Sequence, residues 1–345
     1  MPQGNESETN QVTEAGREDD GLSKSSKPSS RRLEFTRLSA ALLQAGIPLA
    51  AVLLCVFFAI QEPRFATLDN GVNVARQFAL LAVFAFAQAF PVLGGGFDIS
   101  IGSQVGLASV VMALATQSWG LAAGLGMSVV AAGGVGVVNG LTISTFGVSP
   151  FVVTLGMLSF ARGLALYISD GVPIYGFNDN FGFLGEGEIG PLSMPFIIAT
   201  AVFVIGWIVL NRTTYGRHLY ATGGNVEAAR LAGIPVRRVK AISYILCGVI
   251  TGIGAAVLTS RVDSGQPNLG TGLELEALAA VIIGGFALGG GEGRLGNVVW
   301  GAIIISILSN GLNLLRVSSY IQLMAIGVVI VTAVVLDGWR KRVRT

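Results

Sequence analysis

Long apolar runs occupy most of this chain and leave few folds open to it. The hydrocarbon core of a bilayer is about 30 Å thick, and a helix needs about 20 mostly apolar residues to cross it. About ten segments approach or reach that length with very few charges inside them: residues 38–60, 73–93, 99–117, 119–139, 148–168, 192–210, 241–260, 277–290, 297–314 and 319–336. The sequence therefore predicts an all-α fold, a polytopic membrane helix bundle with about ten transmembrane helices in the lipid bilayer.

The composition fits a compact bundle of many helices better than a soluble domain. Hydrophobic residues make up 52% of the chain and charged residues 12%, whereas soluble proteins average about 25% charged residues. Glycine accounts for 48 of the 345 residues, about twice its usual share. Because lipid gives helices no hydrophobic reason to associate, small residues that permit close backbone approach favour their packing. We therefore expect closely packed helices.

Charge is distributed unevenly along the chain, and this predicts the topology. Residues 1–37 have no long apolar run and are rich in serine and charged residues, which is typical of a disordered tail, here preceding a transmembrane domain at 38–338. The connection 211–240 and the tail 339–345 are basic, whereas the connection 169–191 has acids and no lysine or arginine. By the positive-inside rule, the basic segments and both termini are cytoplasmic, and 169–191 is external.

The sequence lacks the motifs of catalytic and nucleotide-binding proteins. No glycine-rich loop ends in Gly-Lys-Ser or Gly-Lys-Thr, and there is no Gly-x-Ser-x-Gly elbow and no His-Glu-x-x-His zinc site. His218 is the only histidine, and Cys55 and Cys247 lie far apart in apolar segments. The chain is therefore predicted not to be an enzyme, to hold no metal or cofactor and to have no nucleic-acid partner. Any ATP and Mg²⁺ would be bound by another chain.

Glycine-rich strings interrupt the apolar pattern at two places. Residues 94–96 separate the second and third segments, while residues 284–285 and 289–291 cut into the eighth. Such interruptions indicate either broken helices that line a transport path or tight helix corners. Residues 92–97 and 282–286 also resemble each other, which hints at duplicated halves.

The basic connection contains a short helix with a cap at each end. Asn225 can cap a helix over 226–232, and Gly233 can end it. Glu227 in the first turn and Arg230 near the last suit the helix dipole. A helix with a face of small side chains on a cytoplasmic loop can dock into a groove of a partner, and the alternative is a structured but passive loop. The small side chains are Ala228, Ala229 and Ala232.

The same connection carries the pattern of a known family. Glu227-Ala228-Ala229-x-x-x-Gly233 reproduces the Glu-Ala-Ala-x-x-x-Gly core of the coupling helix in bacterial ABC importer permeases. The isoleucine and proline expected further along are absent, since residues 243–246 read Ser-Tyr-Ile-Leu, a departure typical of one branch. The wider pattern resembles the ribose, xylose, arabinose and galactoside permease family, which includes autoinducer-2 permeases. Further stretches match it in the same order: residues 95–102, 139–140, 150–156, 161–164, 266–267, 274–285, 311–312 and 317–320.

The resemblance implies the permease subunit of an ATP-binding-cassette importer for a monosaccharide, located in the bacterial inner membrane. Residues 38–338 would be the permease domain and 211–240 its cytoplasmic coupling loop. The implied partners are a second permease copy in a homodimer, an ATP-binding cassette subunit that binds ATP and Mg²⁺, and a periplasmic or lipoprotein sugar-binding protein. The ATPase-coupling helix would comprise Gly224, Asn225, Glu227, Ala228, Ala229, Ala232 and Gly233.

Two other classes of protein are less consistent with the sequence. An ion- or proton-coupled secondary transporter of a small polar solute is the main alternative, but the membrane segments have too few ionisable residues for an obvious proton relay. A membrane-embedded enzyme would need a nucleophile, a base or a metal cluster, and none converges in the sequence.

Several polar or aromatic residues are candidates for the translocation path, although each also has a packing explanation. Asp98 can line the path or cap the third helix, and Asn139 can line the path or bond a neighbouring helix. Arg162 is expected first of all to pair with an acid. It can instead extend towards the membrane–water interface or line the path. Phe151 and Thr154 can form a gate or simply pack.

Two acids precede the eighth segment, Glu274 and Glu276. The predicted topology places both on the outer side of the membrane. They can contact a basic rim of the binding protein or solvate a loop.

Overall fold

The computed structural model describes the backbone of residues 30–178 and 180–344, and the side chains of residues 46–178, 180–332 and 335. Over these residues the chain is helical, apart from one short hairpin and the connecting loops. In chain order the elements are α1 (Ser30–Gln61), a 3₁₀ helix (Pro63–Ala66), α2 (Leu68–Leu93), α3 (Ile101–Trp119), α4 (Leu121–Phe146), α5 (Pro150–Ile168), α6 (Phe183–Glu186), β1 (Glu188–Ile189), β2 (Leu192–Ser193), α7 (Met194–Arg212), α8 (Thr214–Gly224), α9 (Val226–Leu231), α10 (Val236–Arg261), α11 (Leu273–Ile283), α12 (Leu295–Leu314) and α13 (Ser319–Arg344).

The elements confirm the predicted all-α membrane bundle. Each predicted apolar segment overlaps one helix, namely α1 to α5, α7 or α10 to α13. Among the described residues, 6 helices are both long and apolar enough to cross a membrane: α2, α4, α5, α7, α10 and α12. Shorter apolar stretches occupy Gly46–Gln61 in α1 and Ser319–Thr332 in α13. This pattern is compatible with about ten transmembrane helices.

Two helices extend beyond the predicted membrane domain. α1 begins at Ser30, so the end of the predicted tail 1–37 is helical, while residues 1–29 lie outside the described residues. α13 continues to Arg344 through most of the predicted tail 339–345. Hydropathy marks where lipid-compatible residues stop, whereas backbone hydrogen bonds can carry a helix on into polar sequence.

The glycine-rich interruptions are helix corners. α2 ends at Leu93, and α11 ends at Ile283, short of the predicted end at 290. After each helix, two glycines donate their N–H groups to carbonyls four and three residues back. The second glycine of each pair, Gly95 or Gly285, has φ of 81° or 82°, a left-handed conformation that costs glycine little. The similarity between the two strings reflects this shared capping geometry.

α2 lies at the centre of the bundle and organises the helices around it. Every residue from Ala79 to Leu93 is buried, and α2 contacts α7, α10, α11 and α12. α4 packs along α10 through facing glycines, since a Cβ added to Gly136 would lie 3.1 Å from the Cα of Gly248. Small residues therefore set this close crossing, as is typical of helices in lipid.

The connection between α5 and α7 is structured. Its hairpin pairs Glu188 with Ser193, and Arg76 at the start of α2 donates a hydrogen bond of 2.7 Å to Glu188. Ile174 forms a bridge with Gly265 in the loop after α10. These contacts place the acidic connection at the same end of the bundle as the start of α2 and the end of α10.

Candidate translocation path and coupling surface

A fully buried polar cluster lies where α3 begins. The Asp98 carboxylate accepts hydrogen bonds from the Ser100 N–H at 2.8 Å and from the Ser100 hydroxyl at 2.5 Å. It also accepts hydrogen bonds from the side-chain amides of Gln104, at 2.9 Å, and Asn139, at 3.3 Å. All these residues are 0% exposed. Asp98 therefore fixes the turn before α3 by holding Ser100, the residue that precedes the helix, and Asn139 links α4 to the same carboxylate.

Phe151 and Thr154 lie in the first turns of α5, and their contacts are those of packing residues. The Thr154 hydroxyl donates to the Pro150 carbonyl of its own helix at 2.9 Å. Phe151 packs edge-on against Phe97, with 6.3 Å between the ring centroids, and is 48% exposed. Phe151 therefore covers the loop between α2 and α3.

Arg162 extends from α5 and holds the backbone of two other segments. Its guanidinium donates hydrogen bonds to the carbonyls of Pro267, Leu269 (3.2 Å) and Gly102 (3.1 Å). Over the described ranges no carboxylate oxygen lies within 4.0 Å of it. The expectation that Arg162 pairs directly with an acid is therefore wrong, because carbonyl oxygens occupy its planar fork of donors.

Replacing Arg162 with lysine is expected to loosen the loop between α10 and α11. One ammonium group cannot reproduce the planar fork that reaches several carbonyls, and a hydrogen bond to a charged group contributes about 1.5–3 kcal/mol. We therefore expect Arg162→Lys to lower the free energy of unfolding by about 2 kcal/mol, measured by denaturant unfolding in detergent. The control is Arg217→Lys, at an exposed position of α8. Equal stability of the two variants would contradict this role of Arg162.

A cavity of about 470 Å³ lies between α2, α10, α11, α12 and α13. Leu80, Leu81 and Phe84 supply part of its apolar lining. The cavity lies at the end of the bundle that carries the acidic connection, because α2 begins and α10 ends there. Its polar lining consists of Gln77, Arg261, Thr271, Glu276, Ser306, Ser309, Ser319, Tyr320 and Gln322.

The structure separates most of the predicted path residues from this cavity. Asp98, Asn139, Phe151, Thr154 and Arg162 are absent from the described cavity lining. They lie instead on α4, on α5 and in the loop before α3.

The two acids of α11 have different surroundings. Glu276 lines the cavity, whereas Glu274 lies beside Gly102 of α3. The other polar lining residues come from several helices and form no motif in the sequence. Their signal in the sequence is weak: a polar residue such as Ser306 lies within an apolar stretch of its helix.

α9 presents a large apolar side chain on the basic connection. The Asn225 side chain accepts the N–H of Ala228 at 2.9 Å and caps the helix. Glu227 and Arg230 form an exposed ion pair of 3.0 Å along the helix. The next residue, Leu231, is 90% exposed. A single exposed leucine is ordinary on a protein surface, so Leu231 is a candidate contact only together with its small neighbours.

The exposed face of α9 differs from the predicted face in one residue. Ala228, Leu231 and Ala232 are all exposed, and their spacing of three and four residues places them on one side of the helix. Ala229 is only 4% exposed. The prediction that Ala229 belongs to the docking face is therefore wrong, because each residue turns an α-helix by about 100°. We call Ala228, Leu231 and Ala232 the α9 face.

Three glycine-containing segments meet backbone to backbone at the end of α8, directly before α9. The Gly291 N–H donates a hydrogen bond of 2.9 Å to the carbonyl of Leu93, the last residue of α2. A Cβ added to Gly223 would lie 3.0 Å from the Leu93 carbonyl carbon, and one added to Gly290 would lie 2.9 Å from the Cα of Gly223. Such distances leave no room for side chains. We call residues 93–95, 223–224 and 290–291 the glycine junction.

Comparison with known proteins places the chain in a transport family. A family described as "Branched-chain amino acid transport system / permease component" matches residues 70–334. The ribose import permease protein RbsC of Bacillus subtilis (strain 168) is 40% identical over 299 residues, which cover 84% of this chain and 91% of that protein. RbsC of Escherichia coli (strain K12) is 36% identical over 317 residues, covering 90% and 97%. The L-arabinose transport system permease protein AraH of the same strain is 35% identical over 306 residues, covering 87% and 92%.

No solved structure shows a significant match to the chain. The family match and the relatives nevertheless span nearly all of the helical bundle, including the α9 face and the glycine junction. They agree with the apolar helices and with the absence of a nucleotide-binding motif from the sequence. The chain therefore belongs to this family of transport-system permease components.

Proposed function

We propose that the chain forms the translocation path of an ATP-binding-cassette importer that carries a monosaccharide across the bacterial inner membrane. The relatives that support this are named as permeases for ribose, D-allose and L-arabinose. These sugars are small, uncharged molecules rich in hydroxyl groups. A cavity that mixes hydrogen-bonding and apolar side chains suits such a solute.

The observation that carries the ATP-driven part of the proposal is the α9 face. The chain has no phosphate-binding loop of its own, so in this proposal the energy of ATP reaches it from another chain. An exposed Leu231 between Ala228 and Ala232 can enter an apolar groove of an ATP-binding cassette subunit. ATP and Mg²⁺ would be bound by that subunit, and its closure would shift α9 and change which side of the membrane the path faces.

The remaining partners follow from this arrangement. A second permease copy would complete the path as a homodimer, and a periplasmic or lipoprotein sugar-binding protein would deliver the solute from outside. The basic connection 211–240 supports a cytoplasmic location for α9 and for both termini. Contact between the binding protein and Glu274 or Glu276 remains a proposal, and both acids are partly buried.

ATP-dependent uptake in proteoliposomes tests the proposed function. The permease would be reconstituted with its ATP-binding subunit and binding protein, and the accumulation of radiolabelled D-ribose, D-allose and L-arabinose would be measured with and without ATP. We expect uptake of at least one sugar only when ATP and both partners are present. Uptake that needs an ion gradient instead of ATP would support the secondary-transporter alternative, which the comparisons do not favour.

A further inference from the structure

We propose that the cavity between α2, α10, α11, α12 and α13 is a solute-binding subsite within each permease chain, and that it takes an uncharged, hydroxyl-rich molecule. This inference rests on the proposed function and adds the residues that contact the solute. The residues in question are Gln77, Arg261, Glu276, Ser306 and Ser309, which we call the polar wall.

The polar wall offers hydrogen-bonding groups that no protein group uses. The Ser306 hydroxyl is buried, at 3% exposure, and has no hydrogen-bond partner. Among the hydrogen bonds and ion pairs that join described residues, none involves the side chain of Gln77, Arg261 or Glu276. A buried polar group without a partner is unfavourable, so a molecule that supplies the missing hydrogen bonds would be stabilised here.

The chemistry of the polar wall indicates the class of ligand. Arg261 and Gln77 donate hydrogen bonds, the Glu276 carboxylate accepts them, and serine hydroxyls do both. A wall that holds both a guanidinium and a carboxyl group does not present charge of a single sign, so it matches a neutral ligand better than an anion or a cation. Each hydroxyl group of a sugar is both a donor and an acceptor, so adjacent hydroxyls match a wall of this mixed kind.

The shape and the apolar side of the cavity agree with this class. Leu80 and Leu81 line another part of the cavity in front of the fully buried Phe84, and their apolar surface suits the C–H groups of a sugar ring. The volume of about 470 Å³ lies within the range of about 300–1,000 Å³ typical of small-molecule sites. The cavity is also at the end of the bundle where the proposed topology places the binding protein, so a delivered solute would meet it early.

The test measures sugar uptake and ATP hydrolysis separately in the reconstituted importer. We expect Glu276→Gln and Gln77→Leu each to lower the initial uptake of radiolabelled D-ribose, D-allose or L-arabinose, whichever the wild type carries, by about tenfold, as the loss of about 1.4 kcal/mol predicts. ATP hydrolysis stimulated by the binding protein should stay within about twofold of wild type, because α9 and its partner are unchanged. The matched control is Asp69→Asn, which removes a carboxylate charge from an exposed position at the start of α2.

The possible outcomes distinguish the subsite from the proposed function. Normal uptake by both cavity variants would overturn the subsite and leave the importer standing. A wild-type complex that takes up none of the sugars would overturn the proposed function and the subsite with it. If Glu276→Gln does not yield folded protein, Gln77→Leu decides, since it removes no charge. Loss of the homodimer in Gln77→Leu, detected by size-exclusion chromatography with light scattering, would show that the wall contacts the second copy and would also overturn the subsite.

Discussion

Leu231→Glu is expected to abolish ATP-dependent uptake while leaving the permease folded. Leu231 is 90% exposed, so a glutamate there meets water in the free permease and disturbs no internal contact. In the proposed complex the same carboxylate would be buried in an apolar groove without a partner, which costs several kcal/mol. A loss of about 3–4 kcal/mol weakens binding by two to three orders of magnitude. The measurement is co-purification of the ATP-binding subunit together with uptake in proteoliposomes.

Two further variants make this test specific for the α9 face. Asn211→Glu places the same carboxylate at an exposed position at the end of α7, and we expect it to bind the ATP-binding subunit normally. Ala229→Glu is a poor probe of docking because Ala229 is buried, and a charge there would disturb how α9 is seated on its own chain. If Leu231→Glu binds its ATPase and transports like wild type, the α9 face is a passive part of the loop.

Asp98→Leu is expected to destabilise the fold strongly, and more than Arg162→Lys does. The Asp98 carboxylate is the acceptor for donors from Ser100, Gln104 and Asn139. Leucine branches at the same carbon as aspartate, but its two methyl groups are bulkier than the carboxylate oxygens and leave those buried donors without an acceptor. Breaking a buried charged interaction by removing one partner typically costs about 3–5 kcal/mol. We expect the free energy of unfolding to fall by that amount, measured by denaturant unfolding of the detergent-purified protein.

The comparison variants for Asp98 separate charge from hydrogen bonding. Asp69→Leu, at an exposed position, should stay within about 0.5 kcal/mol of wild type. Asp98→Asn keeps one oxygen acceptor and should fall between wild type and Asp98→Leu. Wild-type stability of Asp98→Leu would mean that the cluster contributes nothing to the fold, and the role of Asp98 in fixing the turn before α3 would have to be abandoned.

Local patterns made much of the fold predictable from the sequence. Hydropathy located the long helices because each spanning helix needs its own apolar run, and Asn225 with Gly233 marked the short helix α9 to within one residue. The ends of helices were less predictable. The apolar run at 277–290 continues past the end of α11, because the left-handed Gly285 turns the chain there while its neighbours remain hydrophobic.

The cavity and the partners of the polar residues could not be predicted because both depend on contacts between distant segments. Gln77, Arg261 and Ser306 lie on three helices, and only packing brings them together. Arg162 binds backbone carbonyls, and no side chain in the sequence marks where these lie. For Ala229 the pattern of small residues was correct, but burial depends on which side of α9 meets the bundle.

The glycine junction connects three segments of the bundle rigidly. Backbone atoms in direct contact compress very little, and the atoms nearest to Gly223, Gly290 and Gly291 in this contact are backbone atoms. α2 runs from this contact to the cavity, and the loop after α11 joins the contact to a second helix that lines the cavity. We therefore expect a movement of the connection 211–240 to be transmitted to the cavity. A single methyl group added at Gly223 or Gly290 would force the contacting segments apart. We expect it to change the resting position of the connection 211–240 and of the cavity.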